Sequence, residues 1–279
     1  MAPNPSSAHE RAREILRECP EWYHSIELAP GVVTPGRAPL AEWQRKFEAL
    51  RLPDLHGKSV LDIGAYDGFF SFECEKRGAS RVVALDHYVW YTDMSAYMIE
   101  WRDSQRTGAP MPPPHASRHW LPDLTPGKRP FDEARSILNS KVECAVDDFM
   151  SMDLAALGKF DVVLFLGMLY HMEEPLRAMR RLVSVVAPGG LAVLETEAME
   201  IPGAPDAAYC EFFPDAELNN DASNWWSPNA KAIEGLGYAA GFKRVDLLSG
   251  PPLLPPLREL RSRVRRISYR YRAVAHAYA

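Results

Sequence analysis

The chain has 279 residues, 47% of them hydrophobic and 25% charged, with a formal net charge of −5. This is ordinary globular composition, long enough for one large α/β domain with an elaboration, and it carries no global basic signature for nucleic acid. The four cysteines, Cys19, Cys74, Cys144 and Cys210, lie far apart with no CxxC pair, which argues against a disulfide framework or a zinc site.

In chain order, residues 7 to 18 read as a short helix with Ala12, Ile15 and Leu16 at helical spacing, ended by Pro20. Trp22 to Leu28 follows, then turns at Pro30-Gly31 and Pro35-Gly36. Residues 40 to 51 read as a helix with Leu40, Trp43, Phe47 and Leu50 along one face. The regular part begins at Lys58. Short apolar strands are expected at 59–63, 81–85 (ending at Asp86), 141–145, 160–166, 191–194 and 243–248. Helices are expected at 68–77, 174–186 and 227–240, the last with a Ser-Pro start and a Gly241 stop. Residues 267 to 277 alternate as a seventh strand beside the sixth, after a proline-rich loop and a short helical turn. Strands alternating with helices imply βαβ units and a mostly parallel sheet. Residues 1–57 read as an N-terminal helical or lid segment. Residues 58–279 read as the main domain, interrupted at about 87–130 by a loop rich in proline and aromatics, which favour an ordered wall. The first residues lack an apolar signal core and no apolar run approaches a membrane span, so a cytoplasmic protein is expected.

The stretch Val60-Leu61-Asp62-Ile63-Gly64-Ala65-Tyr66-Asp67-Gly68 carries the chemistry. A strand enters a turn bearing Gly64 and Gly68 and leaves as a helix, at the carboxyl end of a first strand, where open α/β sheets bind ligands. The dinucleotide pattern GxGxxG is absent. Asp62 would repel a pyrophosphate and suit a cationic amino group. Asp86, at the end of the second strand, is placed to accept hydrogen bonds from ribose hydroxyls.

These residues resemble the motif series of class I S-adenosylmethionine (SAM)-dependent methyltransferases, along with Asp147-Asp148-Phe149 and the strand FDVVLFLGMLYH. The resemblance implies a Rossmann-like, seven-stranded, mostly parallel sheet with helices on both faces and only the last strand antiparallel. It also implies SAM as the cofactor. Gly64 would then lie against the methionine part, Asp86 would hold the ribose, Asp148 would meet the adenine amino group and Phe149 would supply backbone or apolar contact to the adenine. Tyr66 stands where the middle glycine of GxGxG is usual, and is expected to pack beside the cofactor. A narrower resemblance, through Trp22 to Leu28, Thr34-Pro35-Gly36, Gly167-Met168-Leu169-Tyr170-His171 and Leu194-Glu195-Thr196, is to the tRNA wobble-uridine carboxymethyltransferase group and its shorter, small-molecule-type relatives. No lysine matches the one expected to hold the extra carboxylate of carboxy-SAM, so plain SAM is favoured, although Tyr170 matches a carboxylate-contacting tyrosine.

Methyl transfer from a sulfonium needs placement behind the methyl and exclusion of water, and a hydroxyl acceptor adds the need for a base. His171, just after the fourth strand, is the first candidate and His24 the second; His87 and His119 rank lower. His171 also reads as a cap of the next helix or a lining residue. Tyr170, Glu195, Tyr209, Trp225 and Trp226 are candidates for the acceptor side, where Glu195 and Glu197 read equally as partners of arginines, and the aromatics equally as packing. No metal constellation is apparent, and the aspartates at 147, 148 and 161 are joined by no histidine. The lead reading is O-methylation of a small-molecule or sugar-bearing metabolite, with no membrane partner and with room for a homo-oligomer. The alternatives are a tRNA-modifying enzyme, drawing on the seven arginines of 258–272, and a non-catalytic SAM-fold binding module, hinted at by Tyr66.

Overall fold

A computed structural model describes residues 5–201, 206–252 and 268–279. The chain divides into two compact units, Met1–Phe149 and Met150–Ala279.

The first unit opens with α1 (Pro5–Glu18), in which Ala12 and Ile15 are wholly buried. A small antiparallel hairpin follows, β1 (Glu27–Ala29) and β2 (Val32–Val33), then α2 (Leu40–Ala49), which buries Trp43 and Phe47. The parallel strands β3 (Ser59–Ile63) and β4 (Arg81–Asp86) flank α3 (Phe69–Lys76). Val60, Leu61, Ile63 and Val82 to Leu85 are buried, as expected of strands covered on both faces. Burying each large side chain of this kind contributes roughly 1.5–3 kcal/mol. Gly68 starts α3 at φ 89, and a Cβ there would lie 2.6 Å from Phe72 and 2.7 Å from Phe131. The helix therefore packs against its neighbours only with glycine at that point.

The stretch read as a long loop holds α4 (Met94–Thr107). Asp93 accepts from the Ala96 N–H at its start and Gly108 ends it in the left-handed conformation. Thr92 bridges to Trp120, and the rings of His87, Tyr88, Tyr91 and Trp120 meet edge to face. α5 (Arg129–Ile137) then leads to β5 (Glu143–Val146), which pairs in parallel with β4.

The second unit contains β6 (Phe160–Leu166), α6 (Pro175–Val185) and β7 (Val186–Glu200). β7 is far longer than the four residues the sequence suggested. Its residues 191–200 pair one for one with the last strand, and that ladder extends it. A second hairpin, β8 (Cys210–Phe212) and β9 (Trp226–Pro228), precedes α7 (Ala230–Ala240). Ser227-Pro228 belongs to β9 and does not start the helix. Asn229 caps it, accepting from the Ala232 N–H at 2.9 Å. β10 (Arg244–Ser249) and β11 (Tyr269–Tyr278) close the chain. The proline-rich loop, the helical turn and the arginines of 258–267 lie outside the described residues.

The strand order is β10-β11-β7-β6-β3-β4-β5, seven strands. β3 pairs in parallel with β4, β4 with β5 and β6 with β7, and β11 is antiparallel to both of its neighbours. This is the Rossmann-like class I sheet that the motif series implied.

Candidate functional site

The first unit builds a turn around buried carboxylates. Asp62, near the end of β3, accepts from the Ser71 hydroxyl at 2.6 Å. Burial pushes its carboxyl up to about 6, against the pull of the Ser71 hydrogen bond and of His24. Gly64 turns the chain at φ 80, donating to the Leu85 carbonyl at 2.8 Å. Tyr66 takes the left-handed conformation at φ 54. Its N–H donates to Asp86 Oδ2 at 2.9 Å, and its carbonyl accepts from Trp90 Nε1 at 2.6 Å. Asp86 Oδ1 accepts from the Val89 N–H at 3.1 Å, and burial lifts this carboxyl to about 6 as well.

This arrangement fits a nucleoside carrying a cationic amino acid end. Asp86 accepts from the backbone N–H groups of Tyr66, Val89 and His87 and keeps acceptor capacity for a ribose hydroxyl. Gly64 presents backbone without a side chain. Tyr66, despite its bulk, holds the backbone shape that glycine would take, and its ring is turned onto Tyr23, stacked at 4.8 Å. The cost of a non-glycine residue in that conformation is about 1–3 kcal/mol, and the surrounding bonds offset it.

After β5, Asp148 Oδ1 lies 4.0 Å from His87 Nε2, and Phe149 is buried. Burial holds the His87 ring below its ordinary range, against the pull of Asp148. Thus Asp62, Gly64, Tyr66, Gly68, Asp86, Asp148 and Phe149 all lie in the first unit. His119 is committed elsewhere, its Nε2 2.6 Å from Glu100 on α4. His24 is buried, with Nδ1 paired to Asp67. Sequence reasoning gave Asp67 and Trp90 no part. The indole N–H that fixes Tyr66 had one visible signal, a tryptophan four residues past the acidic strand end.

The second unit gathers the remaining candidates. Gly167, at φ 69, follows β6 and donates to the Glu195 carbonyl at 2.8 Å. The short turn Leu169–His171 comes next. His171 Nδ1 lies 2.9 Å from the Ser223 carbonyl and 3.1 Å from the Ser223 hydroxyl. That hydroxyl donates to Asp221 at 2.7 Å. A carbonyl can only accept, so Nδ1 carries the proton and Nε2 keeps its lone pair. Burial lowers the affinity of the His171 ring for a second proton, against the pull of Asp221 and the Ser223 carbonyl.

Glu195 and Glu197 point to the same side of β7 and both pair with Arg272 of β11, Glu197 at 3.1 Å. The Arg272 guanidinium lies 5.1 Å from the centre of the Tyr170 ring. Asn219 also donates to Glu197, at 3.1 Å. Tyr209 donates to Glu200 at 2.7 Å. The backbone N–H of Trp225 donates to the Tyr170 carbonyl at 2.8 Å. The Phe212 ring, half exposed, lies 4.9 Å from Trp226 and parallel to Trp225 at 6.5 Å. Among the described residues, Glu211 Oε2, Trp226 Nε1 and Ser227 Oγ are buried with no hydrogen-bond partner. Also among the described residues, no group of three or more His, Cys, Asp or Glu is placed to hold a metal ion, and no helix is long and apolar enough to cross a membrane.

Comparison with known proteins bears on the family and the fold. A family model described as a methyltransferase domain matches residues 37–247, well over half of the chain. The chain is 24% identical over 223 residues to a tRNA U34 carboxymethyltransferase of Desulfotalea psychrophila, covering 77% of this chain and 56% of that one. It is 26% identical over 214 residues to one from Campylobacter hominis, covering 75% and 60%. The chain thus spans less than two thirds of the length of these curated relatives. Among solved structures it is similar to the N-terminal domain of EvdMO1 with S-adenosylhomocysteine (SAH) bound, at a TM-score of 0.59 and 16% identity, covering 99% of this chain and 98% of that one. At that identity the likeness concerns the fold.

Proposed function

The chain belongs to the methyltransferase domain family and is by family and fold a SAM-dependent methyltransferase; from that premise we propose that it methylates a hydroxyl of a small-molecule or sugar-bearing acceptor in the cytoplasm, with His171 as general base. When bound, SAM supplies an electrophilic methyl on a sulfonium. Asp62 would face its ammonium group, Asp86 its ribose, and Asp148 with Phe149 its adenine. The work left to the chain is to hold the acceptor in line, exclude water and take up one proton.

The observation that carries the base role is the bond between His171 Nδ1 and the Ser223 carbonyl. It fixes the tautomer whose Nε2 accepts a proton, and burial keeps the ring neutral and ready to do so. His24 is the weaker candidate, since its buried ring lies face to face with Phe69 and edge-on to Trp43, which leaves an acceptor little access to it. The acceptor side is the β8–β9 hairpin. Its aromatic rings suit an apolar face, while the unpartnered Trp226 Nε1, Glu211 Oε2 and Ser227 Oγ suit hydroxyl groups.

The names of the curated relatives favour a second reading, modification of tRNA. The net charge of −5 weighs against a phosphate-tracking surface. Incubation with methyl-labelled SAM, against a panel of hydroxylated metabolites and glycosides and against bulk tRNA, separates the two. Label in a small acceptor, lost in His171→Ala, is the expected result. Salt-sensitive label in tRNA alone would replace the small-molecule reading.

A further inference from the structure

Asp67 sits in the turn between β3 and α3 with its side chain wholly out of solvent. Its hydrogen bonds run to a segment more than forty residues earlier. Oδ2 accepts from the backbone N–H of Tyr23 at 2.9 Å and of His24 at 2.8 Å, and Oδ1 pairs with His24 Nδ1. Beside a carboxylate, Nδ1 carries the proton whether or not the ring is charged. The His24 ring lies face to face with Phe69 at 5.5 Å and edge-on to Trp43 at 4.4 Å, while Tyr23 stacks on Tyr66.

The same segment closes on itself. Thr34 donates its hydroxyl to the His24 carbonyl at 2.7 Å and accepts from the Ile26 N–H at 2.8 Å. Arg37 donates its N–H to the Tyr23 carbonyl at 2.9 Å. A Cβ on Gly36 would lie 2.2 Å from both the His24 carbonyl carbon and the Ser25 nitrogen, so this closure requires glycine. Residues 22–26 and 34–37 therefore form a clasp, and the Asp67 carboxylate is gripped by it.

A buried carboxylate is costly unless fully hydrogen-bonded, so its placement beside the strained Tyr66 calls for a reason. Tyr66 is the residue whose N–H fixes Asp86, and the clasp holds both the Tyr66 ring, through Tyr23, and the next residue, through Asp67. We propose that Asp67 and His24 are positioning residues for the methyl donor: through the clasp they keep Tyr66 left-handed, and so set the Gly64 backbone and the Asp86 carboxylate in the arrangement that grips the donor nucleoside. The inference rests on the reading of the 62–68 turn as the donor site. The coupling is reciprocal, so bound donor also stabilises the clasp.

SAH, titrated by calorimetry, and hydrogen exchange of residues 22–37 test this together. Asp67→Asn and His24→Phe are expected to weaken SAH binding by about tenfold or more while still melting cooperatively. His24→Asn, whose amide N–H can stand in for Nδ1, is expected to recover binding to within about threefold of the parent chain. In the parent chain SAH slows exchange across residues 22–37, and in Asp67→Asn that protection is lost. Equal SAH affinity in the folded variants, or exchange in 22–37 indifferent to SAH, overturns the proposal. A parent chain that binds no SAH at all overturns the donor site instead. If Asp67→Asn does not fold, the exchange measurement on the parent chain decides alone.

Discussion

At the turn after β3, Asp62, Asp67 and Asp86 are each buried and each hydrogen-bonded. On the β8–β9 hairpin, Glu211, Trp226 and Ser227 each bury a polar atom that has no partner among the described residues. Under the proposed function, the contrast follows from what each region would recognise. A donor common to a whole family is met by a preorganised network whose desolvation is offset by hydrogen bonds of the chain itself. An acceptor particular to one enzyme would be met by a surface whose polar atoms that acceptor completes.

Substitutions on the two sides should therefore separate cleanly. The largest effect is expected from His171→Ala, which should lower kcat by about 10²–10⁴ with SAH affinity unchanged. A drop in SAH affinity of similar size would move His171 to the donor side of the comparison. An intermediate effect is expected from pH. Asp62 and Asp86 titrate near 6 in the folded chain against 3.8 as the reference value. Between those values the folded chain holds more protons than the unfolded one, so these carboxyls add stability at low pH and withdraw it as pH rises through 6. Donor binding runs the other way, because an ionised Asp86 is the stronger acceptor. SAH affinity should fall about tenfold from pH 7 to pH 5, and the fall should flatten in Asp86→Asn. A pH-independent affinity in the parent chain would remove the carboxylates from the site. The smallest effect is expected from Trp226→Phe, which discards an unpaired buried N–H. Acceptor KM should rise by about three- to fivefold while the melting temperature of the free chain does not fall. A marked loss of stability would return the indole to simple packing.

Much of the donor side could be read from local pattern. β3, β4 and β6 are apolar runs bounded by turns, and Asp62, Gly64 and Asp86 fall at strand ends where the topology puts ligands. What escaped was set by partners distant in sequence. The length of β7 is fixed by its ladder with β11. Pairing of Glu195 and Glu197 with an arginine is one of the two readings, but which arginine is not legible, since Arg272 lies more than seventy residues on. Asp67 looks like any turn residue until Tyr23 and His24 fold onto it. α4 is different, since Asp93 and Gly108 are ordinary start and stop signals, obscured by the prolines and aromatics around them.

The account stands on the carboxylate at the end of β4 gripping the donor nucleoside. Calorimetric titration of SAH into the parent chain and into Asp86→Ala tests that contact without any knowledge of the acceptor. Saturable binding by the parent chain, weakened by roughly thirtyfold or more in a folded variant, is the predicted outcome. Equal affinity in both would contradict it.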